Sequence, residues 1–363
     1  MTTADDPIRF AERLLSLLDE GSFTATYKFA VLLALMDLCL EGSNRFGEPP
    51  PMVTTRQLAE KVIDLYWPHT TPFEDLDGDV LRQNTGSMAK ILRCIQEFRT
   101  TTAADPGSPL HRARREHPVA FESLLDDVEW TLVLMPLPKL QRFGGAEDRF
   151  IYEIAWDDDI TRGHFRDLAA FDNRISFVGD AAHHLVRLAP LLRPLIQQKW
   201  TAMVGRLNQL DVAQLESFLF GAGRVSLQPV RAPLVELQHG LCFYCGGRLH
   251  ARPEVDHFLP WSRYPDDRLD NLVAAHGRCN SQKKDFLTSA DHLARWARRL
   301  SDHDRTLAQI ADATAWPRHT TRTLGVVRST FLGLPDGVAL WHEGRSFLPS
   351  RHEELREALA TRR

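Results

Sequence analysis

The spacing of hydrophobic positions changes several times along the chain, and each change marks an element. "PIRFAERLLSLLDEG" (7–21) repeats its apolar residues at helical spacing and closes on Gly21, which predicts an amphipathic helix. "ATYKFAVLLALMDLCLEG" (25–42) is apolar nearly all round and predicts the central helix of a bundle. "TTRQLAEKVIDLYW" (54–67) opens on Thr54 with Gln57 three residues on, the arrangement of a capping box. "VLRQNTGSMAKILRCIQEF" (80–98) predicts a further amphipathic helix that carries Lys90 and Arg93, with Arg99 directly after it. Two helices with basic residues could build a helix-turn-helix-like unit. The simpler reading is a plain helical region with solvated Arg and Lys.

The period then shortens. "EWTLVLMPLP" (129–138) and "RFIYEIAW" (149–156) are β-branched and aromatic, so they predict strands separated by a turn at Gly144-Gly145. Residues 179–210 return to helical spacing, and Pro190 and Pro194 predict two segments or one kinked helix. "GAGRVSLQPVRAP" (221–233) predicts a boundary. Beyond 286 come Arg-rich helices, a hairpin at "VALWHEGRSFLP" and a short final helix.

Bulk properties narrow the classes. The chain has 363 residues with 43% hydrophobic and 25% charged, an ordinary globular balance of two or three domains. No apolar run reaches the ~18 residues of a membrane helix, and Asp37 breaks the longest candidate. The first ten residues lack a basic stretch followed by an apolar one, so the expected location is cytoplasmic, with no membrane partner. A net charge of −4 excludes a surface coated in cations, so nucleic-acid binding would need a local patch. Residues 241–300 carry ten Arg or Lys against seven Asp or Glu, the right sign for one. Cys39 and Cys94 lie in apolar helical patterns and read as small core residues. His183-His184 has no partner at helical spacing and reads as structural, and Asp157-Asp158-Asp159 reads as a solvated turn.

Cys242-x-x-Cys245 and His276-x-x-Cys279 are two pairs, each spaced so that a tight turn presents two ligands to one tetrahedral ion. Thiolate and imidazole donors suit Zn²⁺ better than a hard cation. Between the pairs lie Asp256-His257 on a β-type run and Asp270-Asn271 in a turn, and Asn280 with Lys283 and Lys284 follows the last pair. Taken singly, Asp256 and Asn271 could cap turns, His257 could be a half-buried strand residue, and the lysines could be solvated.

In joint order these residues resemble the HNH endonuclease family, with its ββα-metal fold, over about residues 231–287. Family members show Cys-x-x-Cys, Asp-His followed three residues later by Pro, Asn-Leu, then Cys-x-x-Cys-Asn and a basic residue. His276 stands where Cys is usual. The resemblance implies that His257 is the general base and that Asp256 and Asn280 hold a catalytic Mg²⁺ or Mn²⁺. It also implies that Asn271 ties the loop orienting His257. Cys242, Cys245, His276 and Cys279 would hold structural Zn²⁺, and Lys283, Lys284 and Arg278 would contact phosphate.

The expected fold class is α+β and predominantly helical. A helical region at 1–128 precedes a mixed strand and helix region at 129–228, an HNH module at 229–290 and a helical extension at 291–363. The expected function is hydrolysis of phosphodiester bonds in DNA, with RNA still open, in restriction or phage defence. The N-terminal region would supply recognition, gating, or contact with a second copy or another protein. The alternative is a zinc-stabilised nucleic-acid-binding protein without catalysis, or a nuclease subunit active only within a complex.

Overall fold

A computed structural model describes residues 6–360, apart from 21–23, 77, 87, 105–106, 144–145, 168, 222–225 and 251. The chain is α+β and predominantly helical, and it divides into two compact units. Unit 1 comprises 1–39 and 50–223; unit 2 comprises 40–49 and 224–363.

Helices α1 (Pro7–Glu20) and α2 (Tyr27–Glu41) open the chain, followed by β1 (Met52–Thr54) and α3 (Thr55–Tyr66). Next come α4 (Lys90–Thr101), α5 (Leu110–Glu116) and α6 (Pro118–Leu134), then the short strands β2 (Arg142–Phe143), β3 (Ala146–Glu147) and β4 (Tyr152–Glu153). Unit 1 ends with α7 (Arg162–Arg166), β5 (Arg174–Phe177), α8 (Ala181–Asn208) and α9 (Val212–Glu216). The apolar circumference of α2 is reflected in its burial: every residue from Phe29 to Met36 is 3% exposed or less. The carboxylate of Asp37 is matched by a salt bridge from Arg193 of α8, both of them buried. The Thr54 capping box forms at the start of α3: Gln57 N donates to Thr54 Oγ1, and Thr54 N donates to Gln57 Oε1 at 2.9 Å. A three-stranded antiparallel sheet, β1-β5-β4, buries Val53, Ile175 and Tyr152.

Several local expectations are corrected. "EWTLVLMPLP" is not a strand, because residues 129–134 complete α6. The run continues a helical pattern begun by Phe121, Leu124 and Leu125, all buried on the same helix as Val128 and Leu132. A short apolar run cannot by itself distinguish the two states, and here the preceding turns decide. Of "RFIYEIAW", Tyr152 and Glu153 pair, and their partner is β5. Gly144-Gly145 and the closing Gly21 lie outside the described residues. Pro190 and Pro194 both sit inside the single helix α8. Between α3 and α4 lie the turns and loops of 67–89, not a short turn, and Arg99 is buried with its guanidinium 3.6 Å from the Trp67 ring centroid. That separation does not build a helix-turn-helix, whose two helices are joined by about 3–4 residues.

Unit 2 contains α10 (Gln228–Leu237), β6 (Glu254–His257), β7 (Leu272–Ala275) and α11 (Gly277–Lys283). Around this small motif stand α12 (Ala290–Asp302), α13 (Asp304–Thr314), α14 (Thr320–Leu332), the hairpin β8 (Ala339–Glu343) and β9 (Ser346–Pro349), and α15 (His352–Leu359). β6 and β7 pair antiparallel, with Asp256 opposite Val273 and His257 opposite Leu272. The core of this unit centres on Phe258, stacked on Trp296 at 5.0 Å and on Phe331 at 6.2 Å. No helix among the described residues is long and apolar enough to cross a membrane.

Candidate active site

The ligand atoms of Cys242, Cys245, His276 and Cys279 all lie within 4.8 Å of one another. Two turns build this cluster. The first is closed by Gly246 N donating to the Cys242 carbonyl at 3.0 Å and by Cys242 N donating to the Gly247 carbonyl at 2.8 Å. Gly246 takes φ +68°, the left-handed region where a side chain is disfavoured. The second turn is the start of α11: His276 precedes its first residue, and Cys279 lies in its first turn. His276 Nε2–H donates to the Arg248 carbonyl at 2.8 Å, which turns Nδ1 to within 3.3 Å of Cys245 Sγ and 3.9 Å of Cys279 Sγ. A backbone acceptor that fixes the ring and frees the other nitrogen is the usual outer support of a metal-binding histidine. Gln238 fastens the knuckle to β7: its Nε2 donates to the Ala274 carbonyl, and its Oε1 accepts from Ala274 N, each at 2.8 Å.

Three sulfurs and one nitrogen in this arrangement fit Zn²⁺, and the donor set closes the coordination as structural zinc requires. Burial pushes the Cys279 thiol up to about 12, so metal binding must displace its proton.

The hairpin begins one turn away. Asp256 is buried, and its Oδ2 accepts from Tyr244 Oη at 2.5 Å and from Lys283 Nζ at 3.1 Å. Burial, reinforced by the Asp256 charge, holds the Tyr244 hydroxyl well above its usual range, so it stays protonated and donates. Lys283 is pulled down by burial, an effect that Asp256 opposes. Its ammonium also donates to the His257 carbonyl at 2.8 Å.

His257 emerges on the other side of the strand. Its Nε2 lies 2.8 Å from Asp267 Oδ1, its ring packs edge-on against Trp261, and its side chain keeps 15% exposure.

Between the strands runs a loop, 258–271, whose anchor is Asn271. This fully buried side chain donates to the carbonyls of Leu259 and Asp266 at 3.1 and 3.0 Å and accepts from Leu259 N at 2.8 Å. The helices after 290 complete the anchoring. Asp270 accepts from Arg318 Nε, His319 N and Thr320 Oγ1 at 3.1, 3.0 and 2.9 Å. Arg299 donates to the carbonyls of Leu272 and Asp270, and Trp316 donates to that of Asp267 at 2.6 Å. Asp266 accepts from Thr323 Oγ1 at 3.0 Å, and Tyr264 donates to Glu41 Oε1 at 2.5 Å.

Asn280 stands on α11, where its Nδ2 donates to Glu254 Oε2 at 2.9 Å. Among the described residues, Asp256 and Asn280 share no hydrogen bond. Arg278 and Lys284 are exposed on the same helix and its end. Lys283, expected beside them as a phosphate contact, is instead fully buried against Asp256, because α11 turns this position inward. Reading by residue type alone missed Asp267, Tyr244 and Glu254. The acid pair Asp266-Asp267, ten residues beyond the Asp-His pair, was the available signal for the first.

Comparison with known proteins places both parts of the chain. Residues 242–289 match the family model described as HNH endonuclease, which covers the knuckle, β6, β7 and α11. Residues 9–218, more than half of the chain, match the family model described as a domain of unknown function, DUF8808. The chain belongs to the DUF8808 family. It joins that domain to an HNH-family module; of the DUF8808 match, residues 9–39 and 50–218 lie in unit 1 and residues 40–49 in unit 2. No curated protein and no solved structure matches it.

Proposed function

We propose that unit 2 is a metal-dependent endonuclease acting on DNA, with His257 as its general base. The observation that carries this reading is the His257–Asp267 pair at 2.8 Å, next to Asp256 on the hairpin of an HNH-family module. With Nε2–H donating to Asp267, the lone pair lies on Nδ1, and the carboxylate favours the imidazolium that forms when His257 takes a proton from water. The water oxygen bonds to phosphorus as the bond to the leaving ribose oxygen breaks. Asp256 and the amide oxygen of Asn280 are hard oxygen donors that suit Mg²⁺ or Mn²⁺. A cation held there would neutralise charge developing on the phosphate. Asn271 keeps the loop and Lys283 keeps the Asp256 carboxylate in position, while Arg278 and Lys284 are free to meet the backbone of DNA, or of RNA.

A restriction or phage-defence role, in the cytoplasm, follows if unit 1 selects the target or withholds cleavage. One HNH site cuts one strand, so a double-strand break needs two nicks, a second copy or a partner.

A second reading rests on a specific observation. Asp256 Oδ2 is committed to Tyr244 and Lys283, and the Asn280 amide is turned to Glu254. Such a module would bind nucleic acid without cutting, or would cut only after a partner rearranges these contacts.

Conversion of supercoiled plasmid separates the readings. Zinc-loaded protein is expected to nick on addition of Mg²⁺ or Mn²⁺, and His257→Ala should lower the rate by about 10²–10⁴-fold. Asp267→Asn should cost less and alter the pH profile. An intact plasmid with both proteins, zinc retained and DNA bound, would favour the second reading.

A further inference from the structure

Unit 2 holds a large cleft away from the knuckle, about 1320 Å³ in volume, between α12, α14, α15 and the loop at 44–48. Its lining includes Arg45, Arg328 and Arg356 and contains no carboxylate side chain. Elsewhere in this unit arginines meet acids, as Arg268 meets Asp266 and Arg318 meets Asp270 and Asp304. Among the described residues these three form no ion pair. The Nε of Arg328 is buried with no hydrogen-bond partner among them. Burial alone moves this guanidinium below its ordinary value, with no carboxylate opposing the change. An uncompensated buried donor costs free energy unless something outside the chain accepts from it.

The loop that supplies Arg45 is itself built. Asn44 Oδ1 accepts from Phe46 N and Glu48 N at 2.8 and 3.1 Å, and Gly47 N donates to the Asn44 carbonyl at 3.0 Å. Gly47 has φ +82°, and a Cβ there would stand 2.9 Å from Leu332 Cβ. Only glycine lets the loop sit this close to α14. The result is an aromatic ring held outward: Phe46 is 53% exposed, with the Arg45 guanidinium 4.6 Å from its centroid. Leu324 and Leu359 add apolar surface to the cleft.

We propose that this cleft binds a phosphate-bearing nucleotide, with the three arginines on its phosphates and Phe46 against its base. Arginine forks match phosphate oxygens, and a ring face accepts any base by stacking. Cations alone would serve any polyanion; the exposed ring and apolar floor are what select a nucleoside. The nucleotide can come from a free small molecule or from a strand of nucleic acid. Thr320 lines the cleft and donates to Asp270 beside Asn271, so an occupant lies one hydrogen bond from the anchored loop.

The test is binding to the full-length, zinc-loaded chain without added Mg²⁺, measured by calorimetry or fluorescence anisotropy. It needs no catalysis, so its outcome is independent of the plasmid assay. The probes are ATP, a dT oligonucleotide, adenosine and a poly-glutamate peptide. ATP, the oligonucleotide or both are expected to bind, and Arg45→Glu with Arg356→Glu should weaken binding about 10-fold or more. Both side chains are exposed, and zinc content and circular dichroism check that the fold survives. Phe46→Ala should weaken binding about 5-fold or more. ATP binding that the oligonucleotide does not displace identifies a free nucleotide; oligonucleotide binding alone identifies a strand. Equal binding of poly-glutamate or adenosine, no binding by ATP and oligonucleotide, or affinities untouched by the charge reversals would overturn the proposal.

Discussion

The two units bury polar groups in different ways. Unit 1 buries a neutral network: His69 Nε2–H donates to the Leu219 carbonyl, and Gln83 Nε2 donates to His69 Nδ1. Gln83 Oε1 in turn accepts from Trp200 Nε1 and Thr26 Oγ1 at 2.7 and 2.8 Å. In unit 2 the buried groups are largely charged, with Asp256 against Lys283, Asp270 against Arg318, and Asp266 against Arg268. The reason lies in what each must hold. Unit 1 has long apolar helices that close on one another, so its polar network only has to be satisfied. Unit 2 must fix the long loop 258–271, and besides burying Phe258, Leu259 and Leu269 it uses ion pairs to do so, next to a cysteine–histidine cluster that fits zinc.

The largest expected effect is therefore loss of zinc. Structural zinc contributes about 10–16 kcal/mol of apparent binding energy in small domains at neutral pH. Cys242→Ser should strip hydrogen-exchange protection from β6, β7 and α11 and leave that of α2 and α3 in place. Protection that persists in 254–283 without zinc would mean that the helices after 290 hold the hairpin unaided.

Unit 1 also buries charged groups, among them the Asp37–Arg193 pair, and removing that pair sharpens the contrast. Asp37→Ala removes the carboxylate that faces the buried Arg193 guanidinium and should cost about 3–5 kcal/mol in urea unfolding of the unit 1 transition. A loss below ~1 kcal/mol would show that Arg193 finds water instead.

The neutral network predicts a pH dependence. Burial lowers His69 from 6.5 to about 4. The unfolded chain then binds the proton that the folded one refuses, so stability is full above pH 6.5 and falls as pH drops toward 4. Between pH 6.5 and 5 the loss should be about 2 kcal/mol, and His69→Asn should flatten that slope. An unchanged slope in the variant assigns the acid sensitivity to other groups.

The smallest effect tests a local device. Thr54→Ala removes the α3 cap and should cost unit 1 about 1 kcal/mol, with no change in zinc content or in any nicking activity.

Much of the site was legible before the fold because its chemistry is ordered along the chain. Two pairs of metal-binding residues, an Asp-His, an Asn and a Cys-Asn follow one another between Cys242 and Asn280. Asp267 was not legible as the partner of His257, since it is one of two adjacent acids and only the loop's path decides which of them faces the ring. Tyr244 lies between two cysteines, and nothing in the local sequence marks it as a partner of Asp256. Lys283 looked like a surface cation until α11 turned it inward.

What the sequence determined by itself was therefore local: the knuckle spacing, the cap of α3, the apolar girth of α2, and the residue types of the candidate site. Spacing of two or three residues is set by backbone geometry and needs no distant partner. The tertiary structure alone decided that residues 129–134 extend a helix, that "RFIYEIAW" pairs with β5, and that Asp256 faces Tyr244 and Lys283. It also decided that Glu41 belongs with Tyr264 and that three arginines face one cleft. Each of these joins residues far apart in sequence, and such contacts arise only when burial of distant apolar surfaces offsets the entropy of closing the chain between them.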